Sequence, residues 1–135
     1  MASEPAKPVA LVTGAASGIG AATVRAIAAQ CQCLALHTRG STDESRSRLA
    51  RVAEAARETG AKVAELHGDL AEAGTGAAIV DAALSRFGRL DHVVANAGFA
   101  DKRGIAELSR ADLDRSYAAM AGAFFELVQQ ARAAL

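Results

Sequence analysis

Four apolar residues, Val9-Ala10-Leu11-Val12, run straight into Thr13-Gly14-Ala15-Ala16-Ser17-Gly18-Ile19-Gly20, and no other stretch narrows the fold so much. A short apolar run that ends in glycines reads as a buried strand. The residues beyond it have helical spacing, with Ile19, Thr23 and Ile27 on one stripe. Gly14 lets the backbone bend sharply, Gly18 removes a side chain that would hold a diphosphate away, and Gly20 lets the new helix lie close on the sheet. The first N–H groups of that helix have no intrahelical partner and stand at the positive end of its dipole, so the turn suits an anion. A plain tight turn can carry the same glycines; the strand before and the helix after are what point to a nucleotide.

Strand and helix patterns then alternate to the end of the chain. Cys33 to His37 reads as a second strand. Ser41 and Glu44 stand in capping-box spacing before a helix with Leu49, Val52, Ala53 and Ala56 on its apolar face, ended by Gly60. Lys62 to Leu66 forms a third strand. A helix carrying Ile79, Val80, Ala83, Leu84 and Phe87 follows and closes at Gly88. Leu90 to Ala95 is the fourth strand. Ser109 and Asp112 open a long last helix with Leu113, Tyr117, Met120, Phe124, Leu127, Ala131 and Leu135 at steps of three or four. That stripe reads as core or as an oligomer surface. Such alternation with short connections demands right-handed crossovers, hence an α/β fold with a doubly wound parallel sheet, helices on both faces and strand order 3-2-1-4. Ligands of such sheets sit beyond the carboxyl ends of the strands, where the winding reverses.

Composition excludes several classes of partner. Fifteen basic and fifteen acidic side chains cancel, so no overall field draws nucleic acid or an anionic membrane. No apolar run is long enough to cross a bilayer, and Met1 to Pro8 lacks the pattern of a secretory signal. Residues 1–7 are expected to be a mobile tail on a cytoplasmic protein, and 8–135 a single domain. Aromatics make up only 4% of the chain, so the core is expected to consist of small aliphatic side chains. Cys31 and Cys33, two apart in a predicted strand, should share a face as buried, reduced thiols with no metal set around them. His37, His67 and His92 fall on separate strands, which argues against a shared site.

Three motifs now stand at the strand ends: Thr-Gly-x-x-x-Gly-Ile-Gly from Thr13, Asp69-Leu70 after the third strand, and Asn96-Ala97-Gly98 after the fourth. With these separations the chain, from about Pro8 to Leu135, resembles the short-chain dehydrogenase/reductase family. The resemblance implies a Rossmann-like fold of three α/β/α layers, here an incomplete one of about four strands. It also implies that Gly14, Ser17, Gly18, Ile19 and Gly20 hold the diphosphate of a nicotinamide dinucleotide. Asp69 would accept from the adenine amine with Leu70 packed nearby, and Asn96, Ala97 and Gly98 would line the adenosine ribose and steady the fourth strand. Asp69 is equally placed to cap the third helix in a box with Glu72.

The second strand ends in His37-Thr38-Arg39-Gly40, with no carboxylate to bind both ribose hydroxyls. Arg39 can fork onto a 2′-phosphate, so NADP(H) is favoured over NAD(H), with Thr38 and Arg39 as contacts. The bland alternative is a solvated arginine paired with Asp43 or Glu44.

The family's chemistry, hydride transfer with a carbonyl or alcohol substrate, uses a tyrosine, a lysine four residues later and an upstream serine. The lone tyrosine, Tyr117, has Ala121 four residues on, so no catalytic residue is assigned. Ala119 stands where the family often has an asparagine, and Ala95 replaces the first asparagine of the usual Asn-Asn-Ala-Gly. The expectation is an NADP-dependent oxidoreductase whose chain here stops short of the catalytic half, with a homo-oligomer through the last helix. A catalytically inactive dinucleotide-binding module and a structural or interaction remnant stand as alternatives.

Overall fold

The computed structural model describes residues 6–135. Of the tail expected over residues 1–7, the first five lie outside the described residues, while Lys7 Nζ donates to the Ala29 carbonyl at 2.8 Å. Strand β1 (Val9–Val12) leads into α1 (Gly18–Ile27), then β2 (Cys33–Thr38), α2 (Asp43–Glu58), β3 (Lys62–His67), α3 (Thr75–Phe87) and β4 (His92–Val94). Helices α4 (Arg110–Tyr117) and α5 (Ala123–Ala131) follow, joined by one wide turn of π-helix over Ala118–Gly122. The sheet order is β3-β2-β1-β4 and every pairing is parallel. The opening strand therefore lies inside the sheet, between β2 and β4.

Both faces of the sheet are covered, which is why β1 and β2 are apolar without alternation. On one face Ala10, Val12, Leu34 and Leu36 meet Val24 and Ala28 of the α1 side and Leu49 and Ala53 of α2. On the other, Val9, Leu11, Cys33 and Ala35 meet Ile79, Val80 and Ala83 of α3 and Leu127 and Ala131 of α5. Strand β3 forms the outer edge and begins with exposed Lys62, a charge that discourages edge-to-edge pairing.

Several local expectations are corrected. The core face of α1 is Gly20, Ala21 and Val24, with Ile27 partly buried against the same core, whereas Ile19 is 78% exposed; small residues let the helix approach the sheet. Cys31 precedes β2, closing a 3-10 turn through its N–H to the Ala28 carbonyl. It therefore packs on the α1/α2 side while Cys33 packs on the α3 side; both are buried and free. Helix α2 is capped by Thr42 and Ser45 instead of Ser41 and Glu44, with Thr42 Oγ1 accepting from the Ser45 N–H at 3.1 Å. Asp69 does not cap α3, which begins after Gly74; Glu126 of α5 does so from a distance, its carboxylate accepting from Gly74 N (2.8 Å) and Gly76 N (3.0 Å). The last helix divides by exposure: Leu127 and Ala131 are buried, while Leu113, Tyr117, Met120 and Phe124 face outward.

Candidate functional site

The carboxyl ends of the strands open into a cleft of about 580 Å³. Of the residues singled out from the sequence, all but Gly20 wall it. Gly20 sits beneath: a Cβ there would collide with the Gly14 carbonyl oxygen and with Asn96 Nδ2. Gly14 is similarly constrained, with φ +65° and Ala97 Cα 2.9 Å from where its Cβ would stand. Gly18 differs. It has φ +54° and nothing within 4 Å of its missing Cβ, so its bare backbone borders open cleft. Ser17 makes no side-chain cap and the first turn of α1 holds no acid, which leaves the helix dipole and its leading N–H groups uncompensated. These features fit a diphosphate.

Asn96 is a structural pin of the cleft. Its Nδ2 donates to the carbonyls of Thr13 (3.0 Å) and Gly14 (3.3 Å), and its own N–H, with that of Ala97, donates to Thr13 Oγ1 at 3.0 Å each. The turns after β1 and β4 are thereby locked together.

At the far end of the cleft Arg39 carries no ion pair among the described residues. Its Nε donates to Ser41 Oγ at 3.2 Å, and Glu44 pairs with Arg48. Asp69 is held on both oxygens: Oδ1 accepts from the Ala71 N–H (2.9 Å) and Oδ2 from Arg115 Nη2 (2.8 Å). The bond from Arg115 holds its carboxyl below the usual aspartate range, and the nearby Arg39 charge acts in the same direction. With two guanidinium groups against one carboxylate, this end of the cleft favours anions.

His37 is 2% exposed, and burial lowers its pKa. The neutral ring donates from Nε2 to the Gly68 carbonyl at 2.9 Å, leaving Nδ1 buried without a partner. His67 lies close enough to oppose its protonation, and a Cβ on Gly40 would stand 2.8 Å from His67 Nδ1. The separate strands thus bring these two rings nearer than their spacing implied. Among the described residues no group of three or more potential ligands is placed to hold a metal, and no helix is long and apolar enough to cross a membrane.

Arg115, Ala16 and His37 also wall the cleft, although no sequence motif assigns them to it. Nothing local marks Arg115, since its partner lies 46 residues away. Tyr117 is 70% exposed and outside the cleft walls, so it neither packs in the core nor faces the cleft, whereas Ala119 borders it.

A family model described as short chain dehydrogenase matches residues 8–135. The 11-beta-hydroxysteroid dehydrogenase 1A of Arabidopsis thaliana is 38% identical over 128 residues, covering 94% of this chain and 35% of the relative. The cis-4-hydroxycyclohexanecarboxylate dehydrogenase of Sinomonas cyclohexanicum is 40% identical over 98 residues, covering 73% and 37%. Among solved structures, a short chain dehydrogenase of Burkholderia cenocepacia J2315 in complex with NADP superposes with TM-score 0.87 at 28% identity, covering 96% of this chain and 51% of that one. The chain thus spans about a third of the length of these curated relatives and half of the solved one.

Proposed function

The chain belongs to the short-chain dehydrogenase/reductase family, and from that premise we propose that its cleft binds a nicotinamide dinucleotide, NADP(H) in preference to NAD(H), for an oxidoreductase acting on a carbonyl or alcohol. The observation that carries this reading is the acid-free, uncapped start of α1 behind Gly18, whose missing side chain opens onto the cleft. The bound dinucleotide supplies the hydride that such a reaction transfers.

The chain's own residues bind and orient. Gly14, Ser17, Gly18 and Ile19 receive the diphosphate on backbone N–H groups, and Gly20 sets the helix close enough for them to do so. Thr38 and Arg39 take the 2′-phosphate. Asp69 and Leu70 hold the adenine; Asn96, Ala97 and Gly98 line the adenosine ribose. The preference for NADP(H) rests on the guanidinium of Arg39, which carries no ion pair among the described residues, and on the absence of a carboxylate at the end of β2, and the NADP bound by the Burkholderia relative accords with it. Free Cys31 and Cys33 suit a reducing compartment, and we place the protein in the cytoplasm. The outward Leu113, Tyr117 and Phe124 offer a surface for a homo-oligomer.

A second reading, binding without catalysis, is favoured by one observation: the chain's single tyrosine stands outside the cleft and Ala119 borders it, so these residues provide no proton donor there.

Calorimetric titration of the 135-residue chain with NADPH and NADH tests the proposal. NADPH is expected to bind about tenfold more tightly, a difference of about 1.4 kcal/mol, and Arg39→Ala to bring the two within about twofold. No heat with either ligand overturns the dinucleotide site, and a preference for NADH overturns the assignment of Arg39.

A further inference from the structure

The loop after β3 is fixed from two sides by residues remote in sequence. From below, His37 of β2 binds the Gly68 carbonyl at 2.9 Å. From above, Arg115 of α4 reaches across the cleft wall to Asp69 Oδ2 at 2.8 Å. The remaining oxygen, Oδ1, is occupied by the Ala71 N–H. A carboxylate on an open loop rotates freely about its last bond, and this one is held in a single orientation. Arg115 has no other partner among the described residues, and its side chain stays half exposed within the cleft wall.

We propose that Arg115 is a positioning residue for base recognition: by fixing the Asp69 carboxylate in one orientation, it makes the cleft select an amino-purine over an oxo-purine at the adenosine end of the dinucleotide. The inference rests on the cofactor reading above. Each oxygen of Asp69 keeps a lone pair beyond the bond it already accepts. A 6-amino group donates to that lone pair; a 6-oxo group presents a second acceptor and is repelled. Discrimination of this kind depends on the carboxylate being unable to turn away, and the Arg115 guanidinium supplies that condition.

The test is a titration of the full chain with NADPH and with its hypoxanthine counterpart, nicotinamide hypoxanthine dinucleotide phosphate, repeated for Arg115→Met and Arg115→Lys with circular dichroism to check folding. The expected result is at least a tenfold preference for NADPH in the unmodified chain, falling below about threefold in Arg115→Met and largely restored in Arg115→Lys. The ratio of the two affinities is the readout, because a residue that merely braces the fold weakens both ligands equally and leaves the ratio alone. A ratio unchanged within twofold in Arg115→Met overturns the role of Arg115 while leaving the cofactor reading intact. Failure of the unmodified chain to bind either dinucleotide overturns both. If Arg115→Met does not fold, Arg115→Gln takes its place: a ratio below about threefold supports the role, and a ratio within about twofold of the unmodified chain overturns it.

Discussion

Asn96 and Thr13 are bonded to each other two ways: the Asn96 side-chain amide donates to the Thr13 carbonyl and the Asn96 N–H to Thr13 Oγ1, which also accepts from the Ala97 N–H. Each partner satisfies groups that the end of a strand leaves open. Replacing Asn96 by Ala removes both side-chain bonds and is expected to cost about 1–2 kcal/mol of stability. Asn96→Asp, which sets a carboxylate against two carbonyls, should cost roughly twice as much. Urea denaturation of the two variants checks the order.

Gly18 and Gly20 are expected to separate binding from folding. Gly18→Ala meets no neighbour and pays only for a left-handed backbone, about 1–2 kcal/mol. Its methyl group intrudes where the diphosphate would lie, so affinity for NADPH should fall at least about tenfold in a folded protein. Gly20→Ala places a methyl group on the Gly14 carbonyl oxygen, and the loss should be about 3 kcal/mol or more. Thermal melts alongside titrations distinguish the two.

Glu126 ties α5 to the start of α3 through two charge-assisted bonds. Glu126→Gln keeps the shape but loses the charge and one acceptor, and is expected to lower stability by about 1–2 kcal/mol. A variant as stable as the parent in chemical denaturation would show that α3 needs no cap from α5.

His37 predicts how stability depends on pH. Its folded-state pKa lies below the ordinary histidine value because the charged ring would be desolvated. Between about 6.5 and that lower value the unfolded chain takes up a proton that the folded chain refuses, so stability falls with falling pH at a slope of up to about 1.4 kcal/mol per unit. Above about 6.5 this contribution is complete and flat. His37→Gln should flatten the acid limb; urea midpoints at pH 5, 6 and 7 that keep the parental slope would contradict it. Asp69, Asp91 and Asp101 are all held below the usual carboxylate range by arginine partners, so their loss belongs to a separate step below pH about 4.

Strand β4 is three residues long and pairs only with β1 among the described residues. Its outward N–H and C=O groups lack strand partners. Amides of residues 92–94 should exchange hydrogen well before those of residues 9–12; equal protection would show that this edge is as firm as the centre of the sheet.

Much of this was legible because it is local. The glycine turn, the order of strands and helices, the αL closure at Gly88 and the Ser109–Asp112 capping box are all set within a few residues of chain, where spacing and side-chain type decide the hydrogen bonds. Parallel order then follows from chirality and short connections. Side-chain burial was less legible. Periodicity marks α1 as a helix with Ile19, Thr23 and Ile27 on one stripe, but closeness to the sheet puts Ala21 and Val24 inward and leaves Ile19 exposed.

Neighbouring residues alone specify a parallel, doubly wound layer with a glycine-lined turn after β1, since strand length, helical period and backbone freedom are local properties. Packing at long range is what sets Arg115 on Asp69, Glu126 at the start of α3, and Cys31 and Cys33 on opposite faces. Those outcomes depend on how whole helices pack, and spacing along the chain carries no record of which distant side chain packing will bring within reach.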